Sequence, residues 1–217
     1  MNGPCKAKLG SEAGYSLPNI TIELAAYTAF GFQRDPINCS HGVRSARQLM
    51  APFAVDIDME IKEATPGDAE VLAGIIRQGF RDVADRLALT QENCPKHPSN
   101  YTAEWIASDL QRGVRYYLLE CRGEAVGCVA LEMATDDLFY LERLAVLPCH
   151  RRQGFGTTLV RHGLAQAKTA GARKVSVGIT ADHVELKAWY RGLGFVEEGI
   201  KEFAHLPFRV AFLIRTL

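Results

Sequence analysis

The order of hydrophobic and polar positions divides the chain near Met59. In residues 1–58, prolines and glycines are scattered, and helical spacing persists only over residues 20–30. From Met59 onward the spacing is regular up to the C-terminus. The pattern predicts an extension over residues 1–58, poorly structured or with one short helix, followed by a single domain over residues 59–217.

Two periodicities alternate within the predicted domain. A period of two predicts strands over residues 59–64, 114–121, 125–133, 138–146, 174–179, 195–198 and 208–215. Spacing at i, i+3 and i+4 predicts helices over residues 65–80, 102–111, 156–170 and 184–191, with a separate helical stretch over residues 82–88. Short turns join the second, third and fourth strands into an antiparallel meander. The predicted fold is α/β, with a mixed, mostly antiparallel central sheet flanked by helices.

Charge and composition argue against several kinds of partner. Lys and Arg total 25 and Asp and Glu total 25, so the chain lacks the net charge of a general nucleic-acid or anionic-membrane binder. The longest apolar stretch, residues 20–32, contains Glu23 and is too short to span a bilayer. Six cysteines form no C-x-x-C pair, and the start of the chain has no clean secretory signal pattern. We expect a reduced, cytoplasmic protein with no nucleic-acid and no membrane partner.

The link between the strand at residues 138–146 and the following helix combines several features of an anion site. Gly154 and Gly156 allow the backbone to turn tightly and to approach a ligand. The first N–H groups of the helix lack helical acceptors, and the helix dipole adds positive potential there. Arg151 and Arg152 add two guanidinium groups. The link therefore predicts a phosphate-binding loop.

Two nucleotide-binding motifs do not fit this loop. A dinucleotide fingerprint requires a third glycine where the chain has Leu159. A Walker A loop requires Gly-Lys followed by Ser or Thr, whereas the chain has G-F-G at residues 154–156. Neither motif explains the loop.

The loop resembles the R/Q-x-x-G-x-G/A signature of the GNAT superfamily of N-acetyltransferases, in the form R-R-Q-G-F-G at residues 151–156. The preceding L-A-V-L-P at residues 144–148 is similar to the end of that family's fourth strand. Downstream, W-Y-R-G-L-G-F at residues 189–195 is similar to its Y-x-x-x-G-F ending. The two motifs stand in the family's order, one helix and one strand apart, and the resemblance covers residues 59–217.

The resemblance implies that acetyl-CoA, as the cosubstrate, lies between strands four and five of the sheet, which splay apart. Backbone groups of the fourth strand would hold the pantetheine arm, and N–H groups of the loop would hold the pyrophosphate. His183 stands where the family often has an asparagine and would contact the edge of the cofactor. The implied cofactor-binding residues are Leu144, Ala145, Val146, Arg151, Arg152, Gln153, Gly154, Phe155, Gly156, Thr157 and His183.

Tyr190 matches the position of the family's general acid. A phenol near the sulfur of CoA would protonate the departing thiolate. The alternative role for Tyr190 is that of a core aromatic at helical spacing with Leu186 and Leu193.

Glu142 is the candidate general base for the acceptor amine. A strand that alternates regularly places it on the same face as Leu144, two residues away. An equally supported alternative is a structural ion pair with Arg143, Arg115 or another cation.

The function implied by the resemblance is direct transfer of the acetyl group of acetyl-CoA to a primary amine. The acceptor stays open between a small amine, an amino acid and a protein N-terminus, and a homodimer stays open as well. The alternative function is an acyl-CoA-binding regulatory or interaction module that has lost catalysis. Cys94 and His97 have the spacing of half a zinc site without a second pair, so no metal is predicted.

Residues 1–58 have no counterpart in the family. Because residues 59–217 already hold the predicted sheet and both motifs, we expect the segment to be dispensable for folding and for acetyl-CoA binding. The open alternatives are a mobile extension, an oligomer arm, or an upstream start that precedes a native start at Met59.

Overall fold

The computed structural model describes residues 58–217, so the predicted helix at residues 20–30 and nearly all of the extension lie outside the described residues. The strands are β1 (Met59–Glu63), β2 (Arg115–Cys121), β3 (Glu124–Met133), β4 (Leu138–Val146), β5 (Lys174–Thr180), β6 (Val196–Lys201) and β7 (Val210–Thr216). The helices are α1 (Ala69–Arg86), α2 (Ala103–Gln111), α3 (Phe155–Thr169) and α4 (Val184–Gly192), with short 3₁₀ turns at Pro66–Asp68, Pro98–Asn100 and Pro148–His150.

The described strands form one seven-stranded sheet in the order β1-β2-β3-β4-β5-β7-β6. Strand pairs within it are antiparallel, apart from the parallel pair of β4 and β5. The predicted mixed, mostly antiparallel sheet is confirmed.

Helix α1 is continuous, although the sequence predicts a break after Phe80. The Asp68 carboxylate accepts the Thr65 backbone N–H at 2.8 Å and caps the chain ahead of the first turn. The buried stripe then continues through Phe80 and Val83. Apolar contact with the sheet therefore carries the helix past the polar residues at positions 81 and 82.

Strands β4 and β5 pair only at their beginnings. The paired residues are Leu138 with Lys174, Phe139 with Val175, and Tyr140 with Ser176. Farther along, β4 remains paired with β3, while β5 is paired with β7 over its whole length. A gap therefore opens between the C-terminal halves of β4 and β5, which confirms the predicted splay.

Strand β4 carries a β-bulge at Arg143. Strand β3 advances two residues from Cys128 to Ala130 while β4 advances three, from Ala145 back to Glu142. Arg143 has φ = 51°, in the left-handed region that non-glycine residues rarely adopt. The extra residue shifts the alternation of side chains along β4 by one position.

Two hydrophobic cores cover opposite faces of the sheet. On the first, which we call the α3 face, α3 and α4 pack with Leu141, Leu144 and Val146. On the second, the α1 face, α1 and α2 pack with Ala130 and Ala145. The gap between β4 and β5 lies between these two layers.

Gly127 allows β3, β4 and α3 to approach one another beside the gap. A Cβ atom at this position would lie 2.9 Å from the Ala145 carbonyl oxygen, 3.1 Å from Leu159 Cδ1 and 3.3 Å from Val146 Cγ2. The carbonyl belongs to the backbone of β4, so it cannot rotate away as a side chain would.

We expect Gly127→Ala to lower the free energy of unfolding by about 1–3 kcal/mol, because the added methyl group overpacks this contact. Gly74→Ala is the matched control, since Gly74 lies inside α1 and no described atom stands within 4 Å of a Cβ built there. The control should raise the free energy of unfolding by about 0.5–1 kcal/mol through helix propensity. Urea denaturation measures both values, and an unchanged Gly127→Ala variant would contradict the close approach.

Candidate functional site

The loop from β4 to α3 places an open helix N-terminus at the C-terminal end of β4. Gly154 is the N-cap of α3 with φ = 88°, and no described atom lies within 4 Å of a Cβ built on it. Thr158 N donates to the Gly154 carbonyl at 3.0 Å, so the helical ladder begins there. The preceding N–H groups of Phe155, Gly156 and Thr157 have no acceptor within the helix. The loop therefore ends in the open helix N-terminus on which the predicted anion site depends.

Arg151 does not present its guanidinium group to this loop, which corrects the expectation from the sequence. Its Nη1 donates to the Asp82 carboxylate on α1, and its Nη2 donates to the Gly79 carbonyl at 3.2 Å. Its Nε donates to the Val146 carbonyl at 3.4 Å, and only 6% of the side chain is exposed. Arg151 therefore ties the loop to α1, because the Asp82 carboxylate and the Gly79 carbonyl hold its guanidinium group.

The other loop residues divide between surface and core. Arg152 and Gln153 are exposed, and Arg152 adopts φ = 63°. The Phe155 ring is buried in the core of the α3 face, so this residue can offer a ligand only its backbone. Arg152 is therefore the loop arginine whose side chain lies at the surface beside the open N-terminus.

Leu144, Ala145 and Val146 are buried on the part of β4 that borders the gap. Ala145 and Val146 have Cα partners on β3, at Cys128 and Gly127. Strand β5 has already diverged beside them, since its pairing with β4 ends at Ser176. The three residues thus line one wall of the gap.

Glu142 and Leu144 lie on opposite faces of the sheet, which corrects the expectation that they share one. Glu142 is opposite Ala130, a residue of the α1-face core. Leu144 belongs to the α3-face core. The bulge at Arg143 causes the change, because the extra residue reverses the alternation on which the expectation rested.

Glu142 is buried, with 5% exposure, and the Arg143 guanidinium donates to its carboxylate. Burial raises the pKa of Glu142 to about 7, although the Arg143 charge lowers it. The negative charges of Glu132 and Asp109 contribute further to the raised pKa. Of the ion pairs considered for Glu142, the one with Arg143 is formed, whereas Arg115 pairs with Glu63 at 2.9 Å. A buried carboxyl group with a pKa near neutrality can hold or release a proton at physiological pH.

Tyr190 is fully buried in the core of the α3 face. Its ring makes edge contacts with Phe195 at 5.2 Å and with Trp189 at 4.8 Å between centroids. Its carbonyl accepts the Phe195 N–H at 3.1 Å, which closes the end of α4. The packing role considered for Tyr190 is therefore present. A proton-donating role would require its hydroxyl group to lie near the sulfur of CoA in the gap.

His183 is the N-cap of α4. Its Nδ1 accepts the Leu186 N–H at 3.3 Å and also lies 3.3 Å from a Glu185 carboxylate oxygen. Burial, and then the charge of Arg86, lower the pKa of His183. The neutral ring is consequently favoured, with Nδ1 as acceptor for the helix. This capping role is not evident from the sequence, because histidine is not among the preferred N-cap residues.

The charge at the end of α1 influences the N-terminus of α4, although the two helices cover opposite faces. The charge of Arg86, the last residue of α1, acts on His183. On the α1 side, Leu206 and Phe208 of the connection between β6 and β7 pack against the core of that face.

A model of the acetyltransferase (GNAT) family matches residues 81–195, just over half of the chain. The match includes the end of α1, the splayed strands, the loop at the start of α3 and all of α4. The chain belongs to this family.

Curated relatives match shorter segments. N-acetyltransferase family 8 member 3 of Mus musculus is 30% identical over 96 residues, which are 42% of this chain and 42% of the relative. Aminoglycoside N(6')-acetyltransferase type 1 of Acinetobacter haemolyticus is 36% identical over 63 residues, which are 29% of this chain and 43% of that protein. The chain spans less than half the length of these relatives.

Solved structures share the fold at low sequence identity. The PaiA N-acetyltransferase of Thermoplasma acidophilum in complex with coenzyme A has a TM-score of 0.62 and 15% identity, with 74% of this chain and 100% of that chain covered. The ribosomal-protein-S18-alanine N-acetyltransferase of Escherichia coli has a TM-score of 0.58 and 17% identity, with 73% and 93% covered. A GNAT acetyltransferase of Elizabethkingia anophelis with acetyl-CoA bound has a TM-score of 0.55 and 16% identity, with 74% and 99% covered.

Among residues 58–217, none of the helices combines the length and the apolar character that a bilayer crossing requires.

Proposed function

We propose that the protein is an acetyl-CoA-dependent N-acetyltransferase. The observation that carries the proposal is the open N-terminus of α3, placed beside the gap between β4 and β5. A strand-like arm can lie in such a gap, and a pyrophosphate suits the adjoining helix N-terminus. Family membership supports the same ligand, as do structural neighbours that hold acetyl-CoA or coenzyme A.

The cosubstrate would be held largely by backbone groups. Leu144, Ala145 and Val146 would bind the pantetheine arm, since they line the β4 wall of the gap. N–H groups from residues 152–157 would bind the pyrophosphate, with the Arg152 side chain adding charge at the surface. Arg151 would contribute by holding the loop on Asp82, and His183 by capping α4 at the other side of the gap.

The reaction would be a direct transfer between amine and thioester. The amine nitrogen attacks the acetyl carbonyl, the C–N bond forms, and the C–S bond to CoA breaks. Glu142 would accept the proton that the amine loses, directly or through water, and Tyr190 would give a proton to the departing thiolate. A base with a pKa of about 7 is matched to this task near neutral pH. The amine would approach from the α1 face, where Glu142 lies.

The acceptor belongs to the class of primary amines in this proposal. Small amines, amino acids and protein N-termini all remain candidates. One similar protein is named for an aminoglycoside, which is a small amine. Another is named for the alanine of a ribosomal protein, which is a protein residue. We also propose a cytoplasmic location, which the free thiols of Cys94, Cys121, Cys128 and Cys149 in the described residues support. Dispensability of residues 1–58 likewise stands as a proposal.

We expect Gly154→Asp to abolish or strongly weaken acetyl-CoA binding, because a carboxylate would enter the space in front of the open N–H groups. Gly171→Asp is the matched control: Gly171 has φ = 95°, no described atom lies within 4 Å of its Cβ position, and it follows the opposite end of α3. Both substitutions strain the backbone alike, so only the first should raise the Kd measured by calorimetry. A folded Gly154→Asp variant with an unchanged Kd would overturn the phosphate site.

Turnover should appear when CoA release is followed across a panel of small amines, amino acids and peptides with free N-termini. With the best acceptor, Tyr190→Phe should lower kcat by about 10²-fold and leave the Kd for acetyl-CoA unchanged, because only the acidic proton is lost. Tyr117→Phe is the control, since it removes a buried hydroxyl from the same core on β2. Equal kcat values for the two variants would reduce Tyr190 to a packing role. Acetyl-CoA binding without turnover on any acceptor would instead favour a binding module.

We expect kcat/KM to rise with pH through about 7, because Glu142 must lose its proton before it can act as a base. Glu142→Gln should remove this acid limb and lower the rate above pH 7. Glu132→Gln is the control. The Glu132 charge raises the Glu142 pKa, so its loss should lower that pKa and shift the acid limb to lower pH without removing it. An acid limb that survives in Glu142→Gln would exclude Glu142 as the base.

A further inference from the structure

Arg143 combines a buried charge with an unusual backbone conformation. Its side chain is fully buried, at 0% exposure, although a guanidinium group stays charged in proteins. Its φ of 51° places it in the left-handed region within a strand. A charge buried in this way persists only where partners surround it, and a strained backbone persists only where its surroundings hold it.

The guanidinium group of Arg143 is held from three directions. Its Nη1 donates to Glu142 on β4, and its Nε donates to the Tyr101 hydroxyl, which precedes α2. Its Nη2 lies 3.3 Å from Asp109 Oδ2 on α2. The rings of Tyr101 and Tyr116 flank it, at 5.1 and 5.9 Å from the guanidinium carbon to the ring centroids.

Asp109 anchors this cluster to α2 and β2. Its Oδ2 accepts the hydroxyl protons of Tyr116 at 2.7 Å and of Tyr101 at 3.2 Å, and Arg112 donates to its Oδ1. Burial raises the pKa of both phenols, so both remain protonated donors. Tyr101 therefore accepts from Arg143 and donates to Asp109, whereas the Tyr116 hydroxyl donates to Asp109 from β2.

We propose that Arg143 is a positioning residue whose guanidinium group, held by Tyr101 and Asp109, fixes the β4 bulge and orients the Glu142 carboxylate. This inference rests on the proposed acetyltransferase function. The bulge turns Glu142 to the α1 face and Leu144 to the α3 face, so one distortion places both the proposed base and the proposed cofactor wall. Cys128 Sγ donates to the Arg143 carbonyl at 3.6 Å and satisfies the main-chain acceptor that the bulge displaces.

The charges that face Glu142 determine how its proton affinity responds to changes in this cluster. Arg143 on β4 lowers the pKa, while Glu132 on β3 and Asp109 on α2 raise it. The Tyr140 hydroxyl on β4 is protonated and titrates only far above neutral pH, with a raised pKa. Arg112 is paired with both Asp109 and Glu132, which spreads its charge over the two carboxylates. Loss of the Arg143 charge must therefore move the Glu142 pKa upward.

The decisive comparison uses Tyr101→Phe and Tyr116→Phe in the full chain. Each variant removes one buried hydroxyl that donates to Asp109, but only the Tyr101 hydroxyl accepts from Arg143. We expect a lower Tm in both variants, with the larger loss in Tyr101→Phe because Arg143 Nε also loses its acceptor. The kcat should fall about 10- to 100-fold in Tyr101→Phe alone, because small misplacements of catalytic groups have effects of this size. Equal kcat values in the two variants would show a merely structural cluster and overturn the proposal.

Substitution of Arg143 itself separates its charge from its geometry. Arg143→Met keeps the length of the side chain and removes the charge, so the acid limb of the rate profile should move to higher pH. Arg143→Lys keeps the charge without the forked donor, so the limb should stay near its wild-type position while kcat falls. An acid limb at the same pH in Arg143→Met as in the wild type would contradict the proposed effect of the Arg143 charge on Glu142.

The Kd for acetyl-CoA distinguishes a failure of this inference from a failure of the proposed chemistry. If wild-type protein binds acetyl-CoA but the acid limb survives in Glu142→Gln, the assignment of the base fails while the bulge can still be tested. A higher Kd for acetyl-CoA in Arg143→Met and Tyr101→Phe, but not in Tyr116→Phe, would then support the positioning of the cofactor wall. An unchanged Kd in all three variants would overturn it.

Discussion

The divergence of β4 from β5 after Tyr140 is the constraint on which the rest of the structure depends. Each strand keeps one complete neighbour, β3 for β4 and β7 for β5, so the sheet remains intact on both sides. Strand edges that face each other without pairing leave main-chain groups available to an extended ligand. A short loop leads from the end of β4 to the helix N-terminus at Gly154, so the opening and the open end of α3 lie together.

Polar groups around the gap are tied to secondary structure far away in the chain. Arg151 binds Asp82, 69 residues earlier, and thereby fixes the loop before α3 to helix α1. Arg143 binds Tyr101, 42 residues earlier, and thereby fixes the bulge to the start of α2. Both guanidinium groups are almost fully buried, and each has carboxylate and oxygen partners that offset the cost of removing a charge from water. The two helices of the α1 face therefore support the walls of the gap.

The sheet, the loop and the family could be predicted because their signals are local. Glycine spacing, the helical stripe of α3 and two-residue turns depend on neighbours a few positions apart. The break expected in α1 was wrong because that prediction, too, used only local signals. The polar pair after Phe80 gave no sign of the contact with the sheet that continues the helix. The predicted face of Glu142 was wrong because regular alternation of side chains was assumed along β4. A bulge interrupts this alternation, and a bulge arises only from mismatched pairing with another strand.

The sequence by itself determined the order of the strands, the helix that follows the glycine loop after β4 and the membership of a family that uses this arrangement. Only the tertiary structure decided that Arg151 turns to Asp82 and that Glu142 faces the α1 side of the sheet. These features arise from contacts across strands and between layers, where burial sets the pKa of Glu142 and selects the partners of each charge. Local patterning carries no record of such contacts, because residues far apart in the chain supply the opposing groups.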